Sequence, residues 1–382
     1  MKSYDFIITG AGSIGLPLSF YLASKGAKVA VIESHASPGQ GQNKSAIGGI
    51  RATHSDPAKI RISQYSIEIV SKMKELYGMD VAWKQGGYLF PVYDLERERA
   101  LKSLLEVQHK FGLDISWVDN HAVSTLVPGI KTRGLRGGTY SPGDGSAFPL
   151  KLAGAFFKLA MDAGVDFYFY EKLLSMKTEG DKITQIRTTK DIYSAGLFIN
   201  AAGGNAREVG GLCGEDVQVF PDSHEAGITE PVENFFDPMV VDIRSETHSE
   251  NYYFYQNREG QIVFCITPRP KMPGKDRDST SDFLPLVTRR MLELYSRLRN
   301  IRVRRVWRGL YPMSPDGFPI VGYGEKISNY FTVGGMSGQG FMLGPGLGRI
   351  LSEIFIDRTD KYDFILKQFS PDRDFSGDEI LK

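Results

Sequence analysis

The sequence predicts a mixed α/β chain: a parallel, Rossmann-like sheet built from both chain ends, with a largely antiparallel β domain inserted between them. Three observations predict it. The stretch "IITGAGSIGLPLSFYLASKGAKVAVIE" (7–33) reads as strand, glycine turn, helix and second strand. Near the other end, "YFTVGGMSGQGFMLGPGLGRILSEIF" (330–355) repeats that grammar. Between them, over 216–308, aromatic and β-branched residues alternate with little helical periodicity before 281–299, as antiparallel strands do.

In the opening unit, residues 5–9 form a buried strand, and Gly10, Gly12 and Gly15 stand in G-x-G-x-x-G register before a helix running to about residue 25. Gly10 permits the tight turn, Gly12 lets the backbone approach a pyrophosphate, and Gly15 lets the helix pack on the strand. With Ala11, Ser13 and Ile14 they offer N–H groups at a helix N-terminus, where the dipole favours negative charge. The next strand, 28–32, ends at Glu33, followed by Ser34. A carboxylate about 20 residues past the glycines accepts both ribose hydroxyls of an adenosine and repels a 2′-phosphate, which disfavours NADP. NAD and FAD both remain open on this stretch.

The loop "GQGQNKSAIGGIRATHSD" (39–56) replaces the third strand of a simple doubly wound domain. Residues 58–77 and 95–112 carry amphipathic helical periodicity, with a strand in "WKQGGYLFPVY" between them. A strand and loop in "GGTYSPGDGSAFP" lead to a helix over 150–163 and then to a β-meander over 165–204. The meander's last strand, 196–200, enters a second glycine turn at Ala201, Ala202 and Gly203. Residues 1–80, 145–215 and 320–382 are therefore expected to form the cofactor domain, and 81–144 with 216–319 the substrate domain. "RVRRVWR" (302–308) alternates with Val303, Val306 and Trp307 and reads as a strand edge. The tail after about residue 361 is charged and expected to pack loosely.

Composition narrows the function. With 382 residues, 41% hydrophobic content and a net charge of +1, the chain is long enough for two cores and too balanced for an electrostatic nucleic-acid or membrane binder. The apolar run 6–23 mimics a signal peptide, but its glycines fit a nucleotide turn and no A-x-A site follows. No uninterrupted apolar stretch of about 20 residues predicts a membrane span. Two distant cysteines, Cys213 and Cys265, give neither a disulfide framework nor a metal or iron–sulfur site, so the cytosol is expected.

The far glycine turn argues for flavin. A helix N-terminus near Pro345, preceded by the turn 338–343, would face the N1 and C2-carbonyl edge of a buried flavin, where hydride arrival leaves negative charge. Here the chain resembles the FAD-dependent, D-amino-acid-oxidase-like amine oxidoreductases, through "IITGAGSIGLPLSFYLASKGAKVAVIE", "GGIR", "DGSAFPLKLAGAFFKLAMDAGV", "FINAAGG", "WRGLYPMSPDGFPIVG" and "VGGMSGQGFMLGPGLGRILSE". The resemblance implies non-covalent FAD on Gly10–Gly15, Glu33 and Ser34. It also implies the loop residues Lys44, Ser45, Ala46, Gly48, Gly49 and Ile50, then Leu173, Ala201, Ala202 and Gly203. At the far end it implies Gly335, Met336, Gly338, Gln339, Gly340, Phe341 and Met342.

Within the family the likeness is closest to the β subunits of heterotetrameric sarcosine oxidases and dye-linked L-proline dehydrogenases. "SHEAGITEP" and "YYFYQNREGQIVF" carry it. They imply His224 and Tyr253 as substrate-side residues, and strand alternation sets Tyr253 and Tyr255 on one face with Tyr252 on the other. Arg51, after "GGI", matches the family position that grips a substrate carboxylate, which a guanidinium does bidentately. This chain has Tyr311 where glycine and D-amino-acid oxidases place an arginine, and Met342 where monomeric sarcosine oxidases place a lysine. It has Gly309 where those oxidases carry a flavin-linking cysteine. The implied reaction is oxidation of the C–N bond of a secondary or small amino acid (proline, hydroxyproline, sarcosine or glycine type) by hydride transfer to flavin N5. A hetero-oligomeric partner of the α type would receive the electrons, and an FMN at that interface is a further expected cofactor. The alternatives are a self-sufficient D-amino acid or glycine oxidase, an NAD-dependent dehydrogenase, and a non-catalytic flavin-holding subunit. Lys271 and Lys275 do not align convincingly with the oxygen-activating lysine of the monomeric oxidases.

Overall fold

The computed structural model describes residues 1–377 and 381. Strand Lys2–Thr9 sits at the centre of the first sheet, because its apolar residues are buried on both faces, Phe6 and Ile8 towards one core and Tyr4 and Ile7 towards another. It pairs in parallel with Val29–Ile32 on one side and Ile192–Asn200 on the other. Asp166–Tyr168 continues the parallel order beyond Val29–Ile32, and Tyr330–Gly334 beyond Ile192–Asn200, with Ile320–Tyr323 as an antiparallel edge. Strands from both ends of the sequence thus belong to one sheet, with Ile192–Asn200 between them, as the repeated grammar predicts.

Helices Gly15–Ser24, Pro57–Ser71, Pro149–Asp162 and Gly340–Ser352 contribute Leu16, Leu22, Ile62, Ile69, Leu152, Phe156, Leu347 and Ile350 to the core on one face of this sheet. Strands Leu173–Glu179 and Lys182–Thr188 and helix Ala206–Gly211 bury Leu173, Ile183, Ile186 and Ala206 on the other. Helix starts follow the expected chemistry. Asp56 accepts from Lys59 N at 2.9 Å ahead of Pro57, and Asp94 accepts from Arg97 N at 2.8 Å ahead of Leu95–Lys110.

The second sheet runs Val303–Met313, Phe220–Pro231, Gln261–Pro268, Ser249–Gln256, Met239–Asp242, Tyr88–Val92, Gly137–Ser141 and Ser116–Val118. It is antiparallel except between Met239–Asp242 and Tyr88–Val92. The arginine-rich 302–308 stretch falls in the edge strand of this sheet. Tyr252 and Phe254 enter one core cluster while Tyr253 and Tyr255 face another, as strand alternation requires. A two-stranded ladder joins Gly49–Ile50 to Gly145–Ser146. Among the described residues no helix is long and apolar enough to cross a membrane.

Three expectations are corrected. Residues 165–204 are not one meander: Asp166–Tyr168 joins the parallel sheet, and the antiparallel meander begins at Leu173. The far helix begins at Gly340, with Pro345 inside it. Gly344, Gly346 and Gly348 are helical despite low propensity because a side chain at each would meet Ser13 O at 1.9 Å, Ile62 O at 2.1 Å or Leu18 N at 2.7 Å, so tertiary contact overrides propensity. Finally, the tail packs tightly. Tyr362, Ile365 and Phe369 are buried around helix Asp363–Gln368, and Arg373 pairs with the buried Asp316 at 2.7 Å. Residues 378–380 and 382 of the expected cofactor domain lie outside the described residues.

Candidate cofactor and substrate site

One cavity of about 760 Å³ runs from the first glycine turn to the second sheet. At the first turn the glycines divide by role. Gly10 holds φ +111°, and a Cβ there would meet Ala201 O at 2.5 Å; at Gly15 it would meet Gly10 O at 2.0 Å. At Gly12 it would meet no protein atom within 4 Å, yet Gly12 lines the cavity. Two glycines thus serve packing, and the third keeps space open where backbone N–H groups can reach an anion. The helix that follows has no side-chain cap, but Leu16 N already bonds Gly12 O at 3.1 Å and Pro17 has no N–H, so an anion there would be met by the N–H groups of the turn ahead of Leu16.

Glu33 is held in place by the turn itself, since Ala11 N donates to its Oε2 at 2.9 Å while His35 N donates to Oε1 at 2.8 Å. Ser34, Leu173, Ala201, Ala202 and Gly203 line the same cavity. So do Ser45, Ala46, Gly48 and Gly49, in a loop pinned to the second sheet by Trp307, whose indole N–H donates to Ser45 O at 2.9 Å. From the far glycine turn come Met336, Gly338 and Gln339, and from the start of the helix Gly340, Phe341 and Met342. That helix also lacks a side-chain cap, and a Cβ at Gly340 would lie 3.4 Å from Ser13 Oγ, so two uncapped helix N-termini meet at one cavity. Of the expected residues outside the lining, all but Lys44 pack behind it. Ala11 and Ile50 are fully buried, Gly15 packs under Gly10, Gly335 packs on Ile320, and Lys44 is exposed.

Arg51, His224 and Tyr253 line the cavity together. Arg51 follows the Gly49–Ile50 ladder and is only 6% exposed, so it is not a solvated loop arginine. Its Nη1 donates to Thr53 O and its Nη2 to Leu381 O at 2.5 Å. Among the described residues it forms no salt bridge, so a buried guanidinium faces only neutral acceptors. Asp144 fixes the segment that carries it, accepting from Ala52 N at 2.7 Å and from the Thr53 hydroxyl at 2.6 Å. Burial pushes the Asp144 carboxyl up to about 6 against those donors and the pull of Arg51.

On the sheet side, the Tyr253 and Tyr311 hydroxyls lie 2.8 Å apart, and the His224 ring stacks on Tyr311 with centroids 3.7 Å apart. The Cys265 thiol, opposite Tyr253 in the ladder, is pushed up to about 12, chiefly by burial. Burial likewise raises both tyrosines, so all three groups are neutral near pH 7 and work as hydrogen-bonding walls. A Cβ at Gly338 would meet the Tyr311 ring at 2.2 Å, which seats that ring directly on the far glycine turn.

A family model described as FAD-dependent oxidoreductase (DAO) matches residues 5–354. The chain belongs to this DAO family. Mitochondrial dimethylglycine dehydrogenase of Rattus norvegicus is 24% identical over 389 residues, covering 97% of this chain and 44% of that protein. The chain thus spans less than half the length of that relative. Sarcosine oxidase subunit beta of Arthrobacter sp is 24% identical over 366 residues, covering 92% of this chain and 86% of the other. The crystal structure of L-proline dehydrogenase from P. horikoshii matches with a TM-score of 0.90 at 28% identity, over 97% of both chains. The mixed α/β architecture with two large sheets is that of the DAO family.

Sequence reasoning missed several groups that this DAO-family site assembles: Asp144, Asp222, Cys265, and Tyr311 as a wall residue. Asp144 had a signal, since in "GDGS" it directly precedes Gly145 and Ser146, the two residues that ladder with Gly49–Ile50. The others had none, because their position depends on register, Tyr253 facing Cys265 and Asp222 facing Tyr311 across neighbouring strands.

Proposed function

We propose that the chain oxidises the C–N bond of a small amino acid, with a secondary amino acid such as proline, hydroxyproline or sarcosine favoured, and that it passes the electrons to a partner rather than directly to oxygen. The observation that carries this reading is the buried Arg51 on the same cavity as Tyr253, Tyr311 and His224, beside two uncapped helix N-termini. When bound, FAD would supply the two-electron acceptor for the hydrogen on the carbon next to nitrogen.

The protein's residues do the rest. Arg51 takes the substrate carboxylate and fixes the α-carbon, which makes encounter effectively intramolecular. The neutral tyrosine pair and Cys265 exclude water while offering hydrogen bonds to a polar substrate. FAD is held without a covalent link at the family's cysteine position, since Gly309 has no side chain there and a Cβ would meet Ser45 at 2.6 Å. Among the described residues Lys172 is the lysine that lines the cavity, next to Glu171, whose N–H donates to Glu33 O at 2.9 Å. Lys275 is engaged with Asn205 at 2.7 Å and with Glu208, and neither it nor Lys271 lines the cavity, which supports a dehydrogenase. The likeness to sarcosine oxidase subunit beta supports a hetero-oligomer with an α-type subunit, with an FMN at their interface. The separated thiols support a cytosolic location.

The test is the absorbance spectrum of the purified protein followed by anaerobic titration with proline, hydroxyproline, sarcosine and glycine. A flavin spectrum bleached by one of them is the expected result. A colourless protein, or a flavin that none of them reduces, overturns the reading.

A further inference from the structure

Asp222 does not line the cavity, yet its carboxylate reaches a side chain that does. The carboxylate is 5% exposed and rigidly held, because Oδ1 accepts from Met272 N at 2.7 Å and Ser223 N at 3.0 Å. Oδ2 faces His224 Nε2 at 3.3 Å. Burial raises the Asp222 carboxyl, but the His224 hydrogen bond and charge and the two amides outweigh it and hold it below the usual carboxylate range. An ionised carboxylate can only accept, so the hydrogen of a neutral His224 ring belongs on Nε2. Nδ1 is then an acceptor, and it is buried with no hydrogen-bond partner. The ring cannot rotate freely, since it is stacked on Tyr311 at an interplanar angle of 19°.

We propose that Asp222 is a positioning residue that holds His224 as the Nε2–H tautomer, so that Nδ1 accepts the proton a substrate ammonium must lose before its C–H bond is oxidised. This rests on the reading that the cavity oxidises an amine. The step breaks one substrate N–H bond and forms Nδ1–H, and the imidazolium is stabilised by the Asp222 charge. No electrons move. The other ionisable groups around His224 do not replace that charge. On its own strand, Glu225 is engaged by the Thr280 amide at 2.7 Å and hydroxyl at 2.6 Å. On the neighbouring strand Tyr311 is neutral and Arg308 is paired with Asp276 at 2.9 Å. Tyr253 and Cys265, from the next strands, are neutral, and Arg277 lines the cavity from the 269–282 segment but is exposed.

Two measurements test it. Nitrogen NMR of the ¹⁵N-histidine-labelled wild-type holoenzyme reads the tautomer directly: Nε2 protonated and Nδ1 bare is expected at neutral pH, and the reverse overturns the proposal whatever the activity. Anaerobic stopped-flow reduction is then followed against pH in wild type, Asp222→Asn and Asp222→Glu. Removing a charge in contact with an imidazole moves its titration by about one pH unit or more. The acid limb of the Asp222→Asn profile is therefore expected at lower pH by that amount, with a plateau rate about tenfold lower, FAD content unchanged and Asp222→Glu restoring the wild-type limb. An Asp222→Asn profile that overlays wild type overturns the proposal. If wild-type flavin is reduced by no amino acid, it is the proposed function that fails, and the NMR result still decides the tautomer. Should Asp222→Asn not accumulate, Asp222→Ser with the wild-type NMR spectrum decides it.

Discussion

Arg51 is the residue whose replacement reports most directly on the proposed chemistry. In the described structure its guanidinium is spread over two backbone carbonyls, Thr53 and Leu381, and a bidentate substrate carboxylate would exchange both contacts for charged ones. A hydrogen bond to a charged group contributes about 1.5–3 kcal/mol, and each 1.4 kcal/mol is about tenfold in affinity. One such bond is lost in Arg51→Lys, which keeps the charge but not the fork, and the substrate dissociation constant should rise by about tenfold to a hundredfold. Arg51→Ala loses both bonds, about 3–6 kcal/mol, and should weaken binding by about a hundredfold to about ten-thousandfold. FAD content should change little in either variant, because the first glycine turn and Glu33 are held by their own hydrogen bonds. The assay is anaerobic stopped-flow reduction over a wide substrate range, with flavin content read from absorbance. Arg51→Ala reduced at the wild-type substrate concentration, or both variants equally impaired, would show that Arg51 braces the loop instead of binding substrate.

Further outcomes follow from the glycines, the buried carboxyl and the electron acceptor. Gly12→Ala should yield a folded protein of near wild-type thermal stability that loses FAD, whereas Gly15→Ala should unfold at lower temperature, since its Cβ would sit 2.0 Å from Gly10 O; equal FAD retention in Gly12→Ala contradicts the assigned role. Asp144, pushed up to about 6 in the fold and about 3.9 unfolded, is favoured in its protonated form by folding. Its contribution is full below about pH 4 and is lost as pH rises through about 6, which amounts to about 3 kcal/mol across that window at about 1.4 kcal/mol per pH unit. Denaturant titrations of wild type and Asp144→Asn should therefore diverge across that window in Asp144→Asn's favour at higher pH, and a pH-independent difference refutes the linkage. Flavin reduced anaerobically should reoxidise slowly in air and quickly with an artificial dye; peroxide formed as fast as turnover would identify a self-sufficient oxidase.

The cofactor end of the site was legible in the sequence because its signals are local. A dinucleotide turn needs small residues at fixed spacing between a strand and a helix, and that spacing survives any tertiary detail. Glu33 could be placed for the same reason, as it ends the next strand. The far helix was legible in kind and misplaced in detail, since residues 338–343 read as a turn and Pro345 as the helix start, whereas the helix begins at Gly340. Its glycines admit the backbones of Ser13, Pro17 and Ile62, a long-range contact that no local propensity encodes. The same limit hid the packed tail, whose Tyr362, Ile365 and Phe369 are spaced for burial within a charged stretch.

The substrate end shows why neighbouring-strand register carries the remaining information. Arg51 comes from a loop against the first sheet's helices, and His224, Tyr253, Tyr311 and Cys265 come from four adjacent strands of the second sheet. Where other family members were expected to place an arginine on that sheet, Tyr311 instead completes a neutral, hydrogen-bonded wall. The guanidiniums lining the cavity among the described residues are then the buried Arg51 and the exposed Arg277. A carboxylate gains most from the desolvated one, because its charge is the less screened. On the proposed reading a substrate therefore binds with its carboxylate on the loop side and its amine towards the sheet. His224 stands on that sheet with Nδ1 unpartnered and Asp222 behind it. On that reading the two halves of an amino acid are met by the Arg51 loop and by the second sheet, and the carbon to be oxidised is held between them.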